Sequence, residues 1–174
     1  MKTKNMLVCA FFATVICVTA PFAIPIGVVP ITLILFSLAL TAFITGSKRA
    51  AVATAIYMLI GIIGVPVFSG FKSGLTAIMS PVGGFAFSYI FIALILGQSV
   101  KCKRKLSVVL LCAAALAVCY ICGTAWYMFM TKADVMTALW LCVIPFIPFD
   151  ILKLLLAYIV GKVVRKRLVK AKLL

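Results

Sequence analysis

The chain has 174 residues, 67% hydrophobic and 11% charged, with a mean hydropathy of +1.35. A soluble domain of this size cannot bury that much apolar surface, so a soluble globular enzyme is excluded. Seventeen Lys and Arg stand against Asp134 and Asp150, with no Glu and no His, which excludes a zincin, a carboxylate metal cluster and a Ser-His-Asp triad, and implies no metal site.

Met6 to Ile24 reads as a first transmembrane helix. Lys2, Lys4 and the run ending Val18-Thr19-Ala20 imitate a signal peptide. Pro21 is a poor residue after a cleavage point, Ile16 before Cys17 breaks the lipoprotein pattern, and the apolar run continues, so this helix is expected to be retained. Pro25, Gly27 and Pro30 then mark a turn, because proline removes a backbone donor and breaks a helix. A second helix is expected over about Ile31 to Gly46, and a third from Ala50 to about Val65, restarted by the polar turn Gly46-Ser47-Lys48-Arg49. Pro66 to Pro81, with its glycines and serines, reads as a loop. A fourth helix follows from Gly83 to about Gln98, and a fifth from Leu106 to Met130 after the basic turn Lys101 to Lys105. Lys132-Ala133-Asp134 makes the last turn before a sixth helix that runs into a basic tail over about 162–174. The expected architecture is an all-α integral membrane protein, one domain over 1–174 with six transmembrane helices.

Six spans place both termini on one side. Every basic residue except Lys72, Lys132 and Lys153 falls on that side, so by the positive-inside rule both termini are expected in the cytoplasm and the 66–81 loop outside. The same clustering between apolar runs argues against nucleic-acid binding, for which the charges would line one face.

Asp150 and Lys153 are the strongest chemical signal. An ionisable group inside an apolar span costs at least about 2.5 kcal/mol even on the mildest scale, so something must compensate it. Their i, i+3 spacing puts them on one helix face, where a self-neutralising pair and a ligand-reading pair are both admissible. Pro145 and Pro148 upstream predict a break that places the two residues in the first turns of a restarted helix, as in discontinuous helices that line a cavity. The 66–81 loop combines Phe68 and Phe71 with Gly70 and Gly74 and can act as a lid or as a plain connector. Gly70, Lys72 and Ser73 lack the spacing and strand-loop-helix context of a phosphate loop, so ATP hydrolysis is not expected in this chain and active transport must draw on another subunit or an ion gradient. Gly83 and Gly84 permit either close packing or a ligand site, and Cys9, Ala13 and Cys17 form a small-residue stripe for a neighbouring helix, internal or from a partner. Cys119 and Cys122 have thiol-exchange spacing but sit in an apolar helix without a redox fold, so a small membrane thiol oxidoreductase is the rival of a different class.

Four segments, in this order and spacing, carry a family resemblance: Pro30-Ile31-Thr32-Leu33, Gly61 to Phe68, Pro81-Val82-Gly83-Gly84-Phe85, and Ile144 to Lys153. The chain resembles the BioY family, the substrate-binding S components of energy-coupling-factor biotin transporters. The resemblance implies a six-helix bundle in the bacterial inner membrane. It would capture biotin from outside with high affinity and release it inward with a transmembrane coupling protein and two ATPase subunits; no cofactor is implied. Asp150 and Lys153 fall on the family's Asp-x-x-Lys motif, which implies contact with the biotin head. The resemblance likewise implies biotin-binding positions at Phe68, Ser69, Gly70 and Phe71 of the loop, at Gly84, Phe85 and Tyr89 of the adjoining helix, and at Thr32 of the first matched segment. Cys9, Ala13 and Cys17 resemble the surface that meets the coupling protein. The chain departs from the family in having Ser80 and Val82 where Gly-Pro-Thr-Gly-Gly is common, Phe149 where Gly precedes the Asp, and Ile34 where Gln is frequent. A related component for riboflavin or thiamine is the nearest alternative.

Overall fold

The computed structural model describes residues 3–24, 29–102 and 104–171. Pro25 and Gly27 of the expected turn, and Lys2, Lys103 and Lys172, lie outside them. In chain order the elements are α1 (Thr3–Thr19), β1 (Ala23–Ile24), β2 (Ile31–Thr32), α2 (Ile34–Thr45), α3 (Ser47–Ile63), α4 (Gly74–Ile78), α5 (Gly83–Gly97), α6 (Lys105–Thr131), α7 (Val135–Cys142) and α8 (Ile147–Lys170), with 3-10 turns at Ser69–Phe71 and Gln98–Lys101.

The first helix ends at Thr19, not Ile24. Pro21 has no N–H to continue the ladder and pushes the residue before it away from helical geometry. The chain beyond it pairs as a two-residue antiparallel ladder, Ala23 opposite Thr32 and Ile24 opposite Ile31. That pairing uses the backbone of Ile31 and Thr32, so α2 begins at Ile34 instead of Ile31.

α2 has no charged residue, and it is buried on nearly every side, from Ile34 and Leu35 through Phe43 and Ile44, including the hydroxyl stripe Ser37, Thr41 and Thr45. An uncharged helix of this composition belongs either in a core or in lipid; here it is the core, packed by α8, α5, α3 and α1. Gly161 of α8 lies so close to it that an added Cβ would sit 2.9 Å from Phe43 Cβ. α6 is the converse case: little of it is buried, and Leu106, Val109, Leu110, Ile121 and Phe129 are exposed. It packs along α5 and turns its remaining apolar surface outward.

The expected sixth helix is two helices, α7 and α8, bent by 42°. Pro145 lies in the break, and Pro148 falls in the first turn of α8, where a helix has no use for the missing donor. Among the described residues, Gly83–Lys101 and Lys105–Thr131 are long and apolar enough to cross a bilayer, and the bent pair makes a third; α1 and α2 are shorter apolar helices.

Candidate functional site

The restart of α8 puts Asp150 in its first turn, where the positive end of the helix dipole favours a carboxylate. Lys153 Nζ donates to Asp150 Oδ1 at 2.9 Å, and the two side chains are only 12% and 9% exposed. Tyr120, reaching across from α6, donates its hydroxyl to Asp150 Oδ2 at 2.8 Å. Among the described residues each carboxylate oxygen therefore has one donor and one remaining lone-pair direction, and Lys153 has two further N–H donors. The triad can accept from and donate to a small polar group at the same time.

It lies at the wall of a cavity of about 90 Å³ whose other faces are mostly apolar, among them Val29, Leu35, Phe85, Tyr89 and Phe146. A second cavity of about 90 Å³ adjoins it, with Tyr57, Phe68, Lys72 and Ile78 in its walls. Pro30, Ile34, Ser69, Val82 and Tyr89 line both, so the two are lobes of one cleft. Mostly apolar walls with a few convergent polar groups are the usual make-up of a small-molecule site.

The 66–81 segment is held against the cleft by several contacts. Phe68 and Lys72 pair as an isolated bridge, and Gly70 donates its N–H to the Pro21 carbonyl at 3.0 Å. Phe71 meets Phe22 edge-on at 6.0 Å. Gly70 has φ 70°, a left-handed conformation that glycine adopts without the cost of a Cβ. The segment is not a bare loop: it contains α4.

Of the expected site residues, Thr32, Ser69, Phe85, Tyr89, Asp150 and Lys153 line the first lobe, and Phe68 the second. Phe68 is buried edge-on against Tyr57 at 5.7 Å. Gly70, Phe71 and Gly84 are not in the cleft walls. Gly70 shapes the turn behind Ser69, and Phe71 is 62% exposed. Gly84 serves close packing instead: an added Cβ would come 2.1 Å from Trp126 Cβ, so α5 and α6 could not approach as they do. Tyr120 and Lys72, for which the sequence pattern implied no binding role, also enter the cleft. Tyr120 is betrayed only by being a polar-tipped ring one residue after Cys119 in an apolar helix; Lys72 stands out in the sequence only as part of a rejected phosphate-loop pattern.

Cys9 and Ala13 do not form a free surface stripe. Both are buried, in a helix that packs on α3, and Cys9 Sγ lies 3.7 Å from the Arg49 carbonyl oxygen. Small side chains let α1 approach α3, while Cys17 is half-buried at the same core and Leu7, Phe11 and Val18 face outward. All seven cysteines are free, Cys119 being a wall of the first lobe.

The model of the BioY family matches residues 1–170. A biotin transporter, BioY2, of Lactococcus lactis subsp. cremoris is 32% identical over 92% of this chain and 89% of its own length. The biotin transporter BioY of Thermotoga maritima is 32% identical over 94% of this chain and 96% of its own. The solved S-component for biotin from an ECF-type ABC transporter shares the fold, with a TM-score of 0.86 and 22% identity over 95% of this chain and 92% of that one.

Proposed function

The chain belongs to the BioY family, and on that premise we propose that this membrane protein is the biotin-capturing S component of an energy-coupling-factor transporter. The observation that carries the reading is the Tyr120–Asp150–Lys153 triad, set in the wall of a cleft that is otherwise largely apolar. A ureido ring offers N–H donors beside a carbonyl acceptor. Asp150 accepts from the N–H, Lys153 donates to the carbonyl, and Tyr120 holds the carboxylate in place. Phe85, Tyr89 and Phe146 clasp the thiophane ring. The valeryl chain passes Ser69 into the second lobe, where Lys72 meets the carboxylate.

The chain crosses the bacterial inner membrane six times, with both termini in the cytoplasm; the distribution of basic residues supports this orientation. α1, α2 and α3 supply the shorter spans, and the bent α7–α8 pair supplies the last. The 66–81 segment covers the cleft from outside, and its closure over biotin sets the affinity for the coupling module. A transmembrane coupling protein and two ATPase subunits complete the transporter. The outward face of α1, with Leu7, Phe11 and Val18, is its surface for the coupling protein in place of the buried Cys9 and Ala13. Biotin is cargo, and no cofactor takes part.

Equilibrium binding of labelled biotin to the detergent-purified chain tests this reading, with excess unlabelled biotin, riboflavin or thiamine as challengers. Saturable binding displaced by biotin alone is expected. Displacement by another vitamin instead reassigns the cargo.

A further inference from the structure

At the end of the bundle away from the triad, a cavity of about 250 Å³ opens between the start of α6 and the last turns of α8. Arg104, Lys105, Lys162 and Arg165 all line it, beside Ser99 and Tyr158. Among the described residues these four cations have no carboxylate to answer them, Arg165 donating only to the Ile44 carbonyl: Asp150 is paired with Lys153, and Asp134 caps α7 by accepting from the Met136 N–H. No described side chain caps the α6 N-terminus, so its first-turn N–H groups add to the positive field.

A groove of about 500 Å³ adjoins the cavity, sharing Lys105, Val108 and Tyr158 with it. Beyond Lys105 its walls are Val109, Cys112, Leu116, Ile151 and Leu155 with their neighbours, none of them charged. The groove exists because α6 packs on α5 and α8 on α2, leaving α6 and α8 little contact with each other. From Lys105 to Leu116 it follows α6 for roughly 16 Å at 1.5 Å per residue, about half of a ~30 Å hydrocarbon core. A positive cavity at a helix end, opening into an uncharged groove one leaflet deep, has the shape and polarity of a single phospholipid.

We propose that this is a binding site for one anionic phospholipid, its phosphodiester headgroup on Arg104, Lys105, Lys162 and Arg165 and an acyl chain between α6 and α8. Basic pockets between transmembrane helices hold acidic headgroups in this way. Lys162, 5.9 Å from the Tyr158 ring centroid, stands where headgroup and chain would meet. The site is separate from the cleft and independent of what the cleft binds.

The test is native mass spectrometry of the purified chain titrated with phosphatidylglycerol or phosphatidylcholine. One phosphatidylglycerol should be retained at less than a tenth of the concentration needed for phosphatidylcholine. Lys105→Gln with Lys162→Gln should bring the two lipids within twofold, and the same pair changed to Arg should restore the preference. Ala113→Trp, which fills the groove without altering charge, should weaken phosphatidylglycerol retention at least fivefold. Equal retention of the two lipids by the parent chain, or a preference that survives the Gln pair, overturns the proposal. So does glycerol 1-phosphate displacing the lipid as well as a short-chain phosphatidylglycerol does, since the groove would then play no part. Loss of coupling-protein association in Ala113→Trp, with lipid retention unchanged, would make the groove a protein interface instead. The Arg pair and Ala113→Trp keep the test decisive even where the Gln pair fails to fold.

Discussion

Tyr120 and Asp150 are 30 residues apart in sequence, yet the phenolic hydroxyl donates to Asp150 Oδ2 at 2.8 Å. This bond ties α6 to the first turn of α8 and fixes the carboxylate from the side opposite Lys153. Removing the hydroxyl alone keeps the ring and its packing. Tyr120→Phe is therefore expected to weaken biotin binding about tenfold or more, since a hydrogen bond to a charged group contributes about 1.5–3 kcal/mol. Isothermal titration of the two proteins reads the difference, and equal affinities would remove Tyr120 from the site.

Asp150 and Lys153 separate stability from function. Lys153→Met leaves a buried carboxylate without its cation and should destabilise the fold by about 3 kcal/mol. Asp150→Leu combined with Lys153→Met replaces the pair by apolar groups and should recover most of that loss while biotin binding stays absent. Thermal melts with and without biotin distinguish the two effects. A double variant that still binds biotin would contradict the role given to the pair.

Ser69 Oγ is buried at the junction of the two lobes and makes no hydrogen bond among the described residues. An unsatisfied hydroxyl of this kind costs about 1–3 kcal/mol in the free protein. Ser69→Ala should then raise the melting temperature of the free chain and lower biotin affinity at least threefold. The opposite signs are the signature; a drop in both would mark Ser69 as purely structural.

Lys72 is exposed at the second lobe, placed to meet an anion at the far end of the ligand. Lys72→Ala should reduce affinity for biotin about fivefold, roughly 1 kcal/mol, and leave affinity for biotin amide unchanged. Equal losses for both ligands would show that the lysine does not read the carboxylate.

Gly84 is a packing residue at the α5–α6 contact. Gly84→Ala forces a Cβ to within 2.1 Å of Trp126 Cβ, an overpacking expected to cost about 1–3 kcal/mol. A melting temperature unchanged by the substitution would contradict this placement.

The pattern of legible and illegible features has physical causes. Helix positions and the break before Asp150 follow from apolar runs and from Pro145 and Pro148, which act locally and can be read locally. The Asp150–Lys153 pair was visible because two charges in an apolar span must answer each other. Tyr120 was not, since its partner lies 30 residues away and an aromatic in an apolar helix gives no sign of which way its hydroxyl points. The end of α1 was misplaced because Ala23 and Ile24 are as apolar as helix residues, and only their pairing with Ile31 and Thr32 reveals a strand. Cys9 and Ala13 show the same limit: a small-residue stripe predicts a close neighbour without saying which. Here the neighbour is α3.

The most direct test of the central claim is a side-by-side biotin titration of the purified chain and of Asp150→Asn, both verified as folded by monodisperse elution. The account predicts saturable single-site binding in the parent and at least a tenfold loss, about 1.4 kcal/mol, in the variant. Undiminished affinity in Asp150→Asn, or no saturable binding by the folded parent, would contradict it.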